Sequence, residues 1–304
     1  RINWEENPPI VPNFKGIKEF QNFSIYKISK YIDWTPFFNV WELKGKYPKI
    51  LTHKRYGIEA KKLFDDANFF LNEIIAKGTL KTYGIFGIFE ANSDGKTITV
   101  KANSKTEKFY FLRQQLKKSP GKPNYSLADF IAPEPYVDHL GFFAVTAGLN
   151  IERILDEYNE KNDEYSIIMI KAIADRLAEA FAELIHHFIR TDYWGFEANK
   201  ISIEDMISEK YSSIRPAPGY PACPDHSEKE KIFRVLGLEK KPNISLTESF
   251  AIQPSSSVCG YIFSHPDSKY FSLGKVSKDQ VSKYAKLKGK TLDQVNKIIS
   301  PYII

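Results

Sequence analysis

A proline-rich segment at residues 214–224 constrains this chain more than any other stretch of its sequence. The segment reads IRPAPGYPACP and holds four of the seventeen prolines in eleven residues. Each proline fixes its own φ, lacks an N–H donor and biases the preceding residue toward extended conformations. The segment therefore predicts a stiff loop, in which Arg215 and Tyr220 are held at little further cost in entropy.

Two roles are open to this loop. The guanidinium of Arg215 matches a carboxylate or phosphate, Gly219 permits close approach to the backbone, and Tyr220 offers an aromatic face and a hydroxyl. The alternative is a rigid surface crossover whose arginine forms an intrachain ion pair, with Glu209 as the nearby acid. Residue chemistry alone supports the anion site and the crossover equally.

Composition indicates a soluble globular protein of one or two domains. The 304 residues are 42% hydrophobic and 26% charged, which is ordinary for such proteins. The net charge is +6, but the lysines are dispersed, which argues against a nucleic-acid-binding surface. No window approaches 18 consecutive apolar residues and the start RINWEENPPI has no secretory pattern, so we predict no membrane association and a cytoplasmic location.

Residue spacing predicts a mixed α and β chain. Residues 1–16 are rich in Pro and Asn and predict an extended lead-in to a domain at residues 17–304. Apolar periodicity and capping residues predict helices at residues 25–31, from Pro36 onward, and at 58–75, 127–131, 165–190, 203–211, 228–236, 278–287 and 292–299. Strands are predicted at residues 83–90, 96–101 and 141–146, and in a hairpin of residues 257–263 and 271–276.

The helix at residues 165–190 has an apolar face and an opposite polar row. At about 100° per residue the polar row contains Asp175, Glu179, Glu183 and His186. A charged face of this kind usually contacts solvent, so helical periodicity taken alone predicts that for the row.

Standard catalytic motifs are absent from the sequence. It has no phosphate-binding glycine loop, GxSxG or HExxH, and Cys223-x-x-His226 lacks a second pair to complete a zinc site. We therefore predict no metal site, no catalytic triad, and free thiols at Cys223 and Cys259. An arginine in a rigid loop with acidic and aromatic residues suits a small zwitterion, such as an amino-acid-like ligand.

Several stretches of the chain, in order, resemble one family. The segment RPAPGYP at residues 215–221 resembles the RxxxGY signature of the activation domain of cobalamin-dependent methionine synthase. YIDWTPFF from Tyr31, residues 171–183, TESFA from Thr247 and FSHPDSKY from Phe263 are also similar to that family. The resemblance covers nearly the whole chain. It implies an α+β, C-shaped single domain, with a twisted antiparallel sheet, surrounding helices and S-adenosylmethionine bound in a concave cleft.

The resemblance also implies which residues bind S-adenosylmethionine. Arg215 would hold the methionyl carboxylate, and Gly219 and Tyr220 would shape the pocket. Acidic positions of the family's cleft, which could receive the ammonium group or ribose hydroxyls, are matched here by Asp33, Glu179 and Glu209. Tyr270 matches an aromatic contact, whereas the next position, often Tyr in the family, is Phe271 here and retains only packing.

In that family the domain restores an enzyme whose cobalamin has oxidised. The cofactors would be S-adenosylmethionine, which donates the methyl group, and cobalamin, which is bound mainly by another domain of the same enzyme. A flavodoxin or flavoprotein reductase would donate the electron. Because the sulfonium already activates the methyl group, the domain need only position the reactants and exclude water.

Two classes of protein remain open. The chain has no homocysteine site, folate barrel or cobalamin-binding DxHxxG, so alone it should bind S-adenosylmethionine without making methionine. It is either the C-terminal module of a methionine synthase, a methyltransferase, or a stand-alone S-adenosylmethionine-binding or partner-docking protein. The start at Arg1 and the linker-like opening favour the module.

Overall fold

The computed structural model describes residues 2–102, 105–197 and 201–304, so Arg1 lies outside the described residues. The helices are α1 Ile25–Ser29, α2 Thr35–Val40, α3 Gly57–Lys77, α4 Ile151–Asn159, α5 Glu164–Phe188, α6 Ile203–Ile207, α7 Glu228–Val235, α8 Lys278–Lys288 and α9 Leu292–Ile299. The strands are β1 Gly16–Gln21, β2 Lys81–Ser93, β3 Thr97–Ala102, β4 Lys105–Tyr110, β5 Asp138–Leu149, β6 Ser245–Leu246, β7 Ile252–Gln253 and β8 Ser257–Ile262.

The main sheet is antiparallel throughout and is built around β2 and β5. Within the described ranges it has six strands, in the order β4-β3-β2-β5-β8, and β1 also pairs with β2. One edge of the long β2 pairs with β1 over its first part and with β3 over its last, while its other edge pairs with β5. The predicted α+β class, with an antiparallel sheet and surrounding helices, is confirmed.

The sheet is buried on both faces, which explains the continuous apolar runs of β2 and β5. Successive side chains of a strand point to opposite faces. Phe86 and Phe143 therefore join a core with helices α1 to α5, whereas Ile85 and Phe142 join a second core with α7. A third cluster is formed mainly by α8 and α9 near the C-terminus.

Local helix signals account for the helix positions. Asp163 caps α5 by accepting a hydrogen bond from the backbone N of Ser166 at 3.0 Å. Gly78 ends α3 in the left-handed conformation, with φ of 58°, as glycine at a helix C-terminus commonly does. The two predicted C-terminal helices are confirmed as α8 and α9.

Some predicted elements are wrong. Residues 271–276 form no strand, and β8 pairs with β5 and not with them. The helix predicted at residues 203–211 ends at Ile207, and helix α4 and strand β1 were not predicted. Over the residues that the structure describes, none of the helices is both long and apolar enough to cross a membrane.

The lead-in segment contacts the rest of the chain. Trp194 donates from Nε1 to the backbone O of Ile10 at 2.9 Å. The ring of Trp4 packs edge-on against His265, with 4.7 Å between the ring centroids. The boundary at residue 16 stays a prediction, although the residues before it are packed onto the domain.

Candidate functional site

The first part of the proline-rich loop adds to the edge of β8. Ile214 and Phe263 exchange backbone hydrogen bonds of 3.2 and 3.0 Å, and the backbone N of Tyr261 donates to the O of Pro216 at 2.9 Å. A Cβ on Gly260 would lie 2.6 Å from that same Pro216 oxygen. Glycine is therefore required at residue 260 for the loop to lie this close to the strand.

The second part of the loop is a tight turn. The backbone N of Gly219 donates to the O of Cys223 at 2.8 Å, and the Cys223 thiol donates to the O of Ala217 at 3.0 Å. Gly219 has φ of 101°, and a Cβ there would lie 2.1 Å from Cε1 of His226. Gly219 thus serves the geometry of the turn, beside the cavity described next.

Six of the eight predicted site residues line one cavity of about 540 Å³. Glu179 comes from α5, Glu209 follows α6, and the proline-rich loop and residues 270–272 supply most of the remaining wall. The predicted residues on the wall are Glu179, Glu209, Arg215, Tyr220, Tyr270 and Phe271. The volume suits one small molecule.

Arg215 is fixed at both its backbone and its side chain. Its backbone N donates to the hydroxyl of Tyr270 at 3.0 Å. Its Nη1 lies 2.8 Å from Oε2 of Glu183, 2.8 Å from the hydroxyl of Tyr211 and 3.5 Å from Oε1 of Glu209. The ion pair expected of a crossover and the cavity expected of an anion site therefore occur together.

The two predicted acids of the wall differ in environment. Glu179 is half-buried on α5, one helical turn before Glu183. Glu209 has a positive φ of 52° and follows the end of α6. Partial burial raises the pKa of Glu209, and the guanidinium of Arg215 offsets part of that rise. The cavity wall thus combines two carboxyl groups with one guanidinium.

Aromatic rings form another part of the wall. Burial raises the pKa of both Tyr220 and Tyr270, so these phenols stay protonated at neutral pH. The ring of Phe271 packs near that of Tyr125, with 6.0 Å between centroids. Phe271 brings no hydroxyl to the cavity, and its packing role toward a ligand stays a prediction.

Asp33 lies at the start of α2 and is not among the residues of the cavity wall. Its Oδ1 accepts a hydrogen bond from the backbone N of Thr35 at 2.9 Å. This contact stabilises the first turn of the helix, where a carboxylate also interacts favourably with the helix dipole. A ligand contact for Asp33 stays a prediction.

Comparison with known proteins gives a match over most of the chain. The family model of the vitamin B12 dependent methionine synthase activation domain matches residues 24–289. The chain belongs to this family. A solved structure described as the MetH reactivation domain bound to AdoHcy is 44% identical, with a TM-score of 0.94, and the match covers 100% of this chain and 95% of the other.

In this activation domain, buried polar side chains of α5 lie behind Arg215 of the cavity wall, which the sequence did not lead us to predict. Glu183 is 4% exposed and His186 is fully buried, so the prediction that the polar row of α5 contacts solvent is wrong for both. Residues after α6 cover this face, because Tyr211 donates to Oε2 of Glu183 at 2.9 Å and Ser213 lies 2.8 Å from Nε2 of His186. A signal was present, since Arg190 follows Glu183 by seven residues, two helical turns further on the same face.

Proposed function

We propose that this activation domain binds S-adenosylmethionine in the cavity and offers its methyl group to a cobalamin held by another domain of the same methyltransferase. One observation carries the proposal. Arg215 lines the cavity with its guanidinium already anchored, and Glu179 and Glu209 bring carboxyl groups to the same wall. AdoHcy, bound in the related MetH structure, is the product that remains when S-adenosylmethionine gives up its methyl group.

The side chains of the cavity wall match each part of S-adenosylmethionine in charge or polarity. The guanidinium of Arg215 matches the methionyl carboxylate. The carboxyl groups of Glu179 and Glu209, with Asp33 as a further candidate, match the ammonium group and ribose hydroxyls. Tyr220, Tyr270 and Phe271 offer faces on which the adenine ring or the sulfonium cation can pack. The Tyr270 hydroxyl accepts from the backbone of Arg215 and keeps its own proton to donate.

The proposed role needs no general base from this chain. The positive sulfur makes the methyl group a good electrophile, and the reduced cobalamin, when docked, supplies the nucleophile. A flavodoxin or flavoprotein reductase is the proposed source of the electron. The residues of this chain would bind the donor, orient its methyl group and exclude water. The isolated domain is therefore expected to bind ligand without forming methionine.

Calorimetric titration of the purified domain with S-adenosylmethionine and AdoHcy tests this proposal. We expect saturable binding of both, weakened about tenfold to hundredfold by Arg215→Ala, because a hydrogen bond to a charged group contributes about 1.5–3 kcal/mol. Arg153→Ala is the control, since Arg153 is exposed on α4. Absence of binding by the unaltered domain would contradict the function. Unchanged affinity in a folded Arg215→Ala variant would contradict the carboxylate assignment.

A further inference from the structure

Arg215 uses only part of its guanidinium within the protein. Among the described residues its side-chain hydrogen bonds and ion pairs all involve Nη1. Arg113, at a second cavity of about 880 Å³, is different. Its Nη1 and Nη2 bind the two carboxylate oxygens of Asp129 at 2.5 and 2.6 Å. Arg113 is thus committed to a protein carboxylate, whereas Arg215 keeps Nε and Nη2 for another acceptor.

A closed triangle of one ion pair and two hydrogen bonds holds Nη1 of Arg215. Oε2 of Glu183 lies 2.8 Å from this nitrogen and accepts from the Tyr211 hydroxyl at 2.9 Å. The Tyr211 hydroxyl in turn accepts from Nη1 at 2.8 Å. The Glu183 side chain is 6% exposed, so water competes little for these bonds. Each of the three groups limits the freedom of the other two.

A second arginine, Arg190, contacts both Tyr211 and Glu183 of this triangle. Arg190 is fully buried, and its guanidinium lies 3.7 Å from the centroid of the Tyr211 ring. Its Nε binds Oε2 of Glu197 at 2.9 Å, and its Nη1 lies 3.5 Å from Oε1 of Glu183. The ring of His186 packs edge-on against Tyr211 at 5.2 Å between centroids. Glu183 is therefore held on one oxygen by Arg190 and on the other by Arg215 and Tyr211.

We propose that Glu183 is a positioning residue, which holds Arg215 so that Nε and Nη2 meet the carboxylate of an amino-acid-bearing ligand. This inference rests on the proposed function and deepens it. A long arginine side chain that is already fixed loses less conformational freedom when ligand binds. The fixed planar fork also selects a carboxylate at one place in the cavity. Glu183 acts through Arg215, since it lies behind the cavity wall and is not part of it.

The variant Glu183→Gln tests this role. It keeps the shape of the side chain and one hydrogen-bond acceptor but removes the charge. We expect the affinity for S-adenosylmethionine and AdoHcy to fall about tenfold or more, since the lost contact is charge-assisted. Decarboxylated S-adenosylmethionine lacks only the carboxylate, so its affinity should change less than twofold. A general loss of structure would weaken both kinds of ligand alike.

A matched control comes from another buried carboxylate. Glu228 is 2% exposed and pairs with Lys231 at 3.0 Å and Lys288 at 2.6 Å, away from the cavity wall. Glu228→Gln should lower thermal stability and leave affinity for all three ligands unchanged. Tyr211→Phe, which removes the bridging hydroxyl, should weaken the two carboxylate-bearing ligands by a smaller factor than Glu183→Gln.

The outcomes separate this inference from the function on which it rests. If the unaltered domain binds neither S-adenosylmethionine nor AdoHcy, both are overturned. If it binds them and Glu183→Gln binds them equally well, or loses the decarboxylated ligand to the same extent, only the positioning role is overturned. Where the decarboxylated ligand binds too weakly to measure, a crystal structure of Glu183→Gln decides. If the guanidinium of Arg215 keeps its position in that structure, the positioning role of Glu183 is overturned. If the guanidinium is displaced, the role is supported.

Discussion

Two adjacent residues of β5 are ionisable and buried away from the cavity. His139 is fully buried, and neither ring nitrogen has a hydrogen-bond partner among the described residues. Burial lowers the pKa of His139 to about 4. Asp138 is 3% exposed and accepts hydrogen bonds of 2.7 Å from the backbone N of Ala132 and of His139. Burial nevertheless raises the pKa of Asp138 to about 6.

These two groups give stability opposite pH dependences. The unfolded chain binds more protons at His139 between pH 6.5 and about 4, so the contribution of His139 to stability falls as pH falls through this range. The folded chain binds more protons at Asp138 between about pH 6 and 3.8, so the contribution of Asp138 rises as pH falls. The measured pH dependence of the unfolding free energy includes the sum of these two contributions.

His139→Leu should remove one of these contributions. We expect the loss of unfolding free energy between pH 6.5 and 4 to shrink by up to about 3 kcal/mol, because each unit of pKa shift corresponds to about 1.4 kcal/mol. Urea denaturation at several pH values between 4 and 7 measures this. His53→Gln, at an exposed histidine, is the control for the replacement of a histidine. An unchanged slope in His139→Leu would show that burial does not hold this histidine neutral.

At the residue scale, the sequence predicted which residue types line the cavity better than it predicted which segments cover them. The resemblance supplied Arg215, Tyr270 and the other six predicted site residues, because a motif ties residue types to a ligand. Helical periodicity placed Glu183 on a polar face, but periodicity does not reveal which segment covers that face. The covering residue, Tyr211, follows 28 positions later in the chain, beyond the reach of local patterns.

At the scale of elements, β8 and the proline-rich loop hold each other in place. The hydrogen bond from Tyr261 N to Pro216 O follows directly after Gly260, where a Cβ would meet that oxygen at 2.6 Å. Neither backbone can retreat easily, since β8 pairs with β5 along its other edge. The position of Arg215 therefore depends on the absence of a side chain at residue 260.

Gly260→Ala should displace the loop. We expect a loss of stability of about 1–3 kcal/mol, the usual range for a side chain inserted into a packed site. Affinity for S-adenosylmethionine should fall as well, because Arg215 moves with the loop. Thermal unfolding and calorimetry measure the two effects. Gly95→Ala is the control, because it strains a backbone with φ of 84° but its Cβ meets nothing within 4 Å; it should lower stability and leave ligand affinity intact. Normal affinity in Gly260→Ala would contradict the coupling.

Capping residues and apolar periodicity predicted helices well where the residues that define a helix lie within it or at its ends. The cap at Ser24, the apolar stripe of α3 and the stop at Gly78 lie within the elements they define. The segment at residues 271–276 has strand-like alternation, yet its backbone bonds reach distant partners. Leu273 N donates to Pro221 O at 2.8 Å and Val276 N to Tyr302 O at 2.7 Å. The residue pattern of one segment does not reveal such long-range pairing.

At the scale of the whole molecule, a buried lysine joins the C-terminal helices to the rest of the domain. Lys288, at the end of α8, has a 3% exposed side chain. Its Nζ lies 2.5 Å from Oδ2 of Asp225 and 2.6 Å from Oε1 of Glu228. The hydroxyl of Tyr284 also donates to Asp225 at 2.7 Å. Asp225 directly follows the proline-rich loop, so the same segment contacts both the cavity and α8.

Lys288→Met should leave the buried carboxylate of Asp225 without its cation, while Glu228 keeps its ion pair with Lys231. We expect a loss of about 3–5 kcal/mol of unfolding free energy, the usual cost of breaking a buried ion pair from one side. Hydrogen exchange should accelerate first in α8 and α9. Lys286→Met, at an exposed position of the same helix, should change stability by less than about 0.5 kcal/mol. Equal stability of the two variants would contradict the role of Lys288.

The pairing of the proline-rich loop with β8 also affects how this domain behaves at high concentration. An open edge of a sheet is a template on which another chain can add a strand and begin to aggregate. Here the edge of β8 is covered by a segment whose prolines at 216, 218, 221 and 224 have no N–H to donate. The segment that carries Arg215 thus also ends the sheet on that side, so its loss would expose an aggregation-prone edge and remove part of the cavity wall.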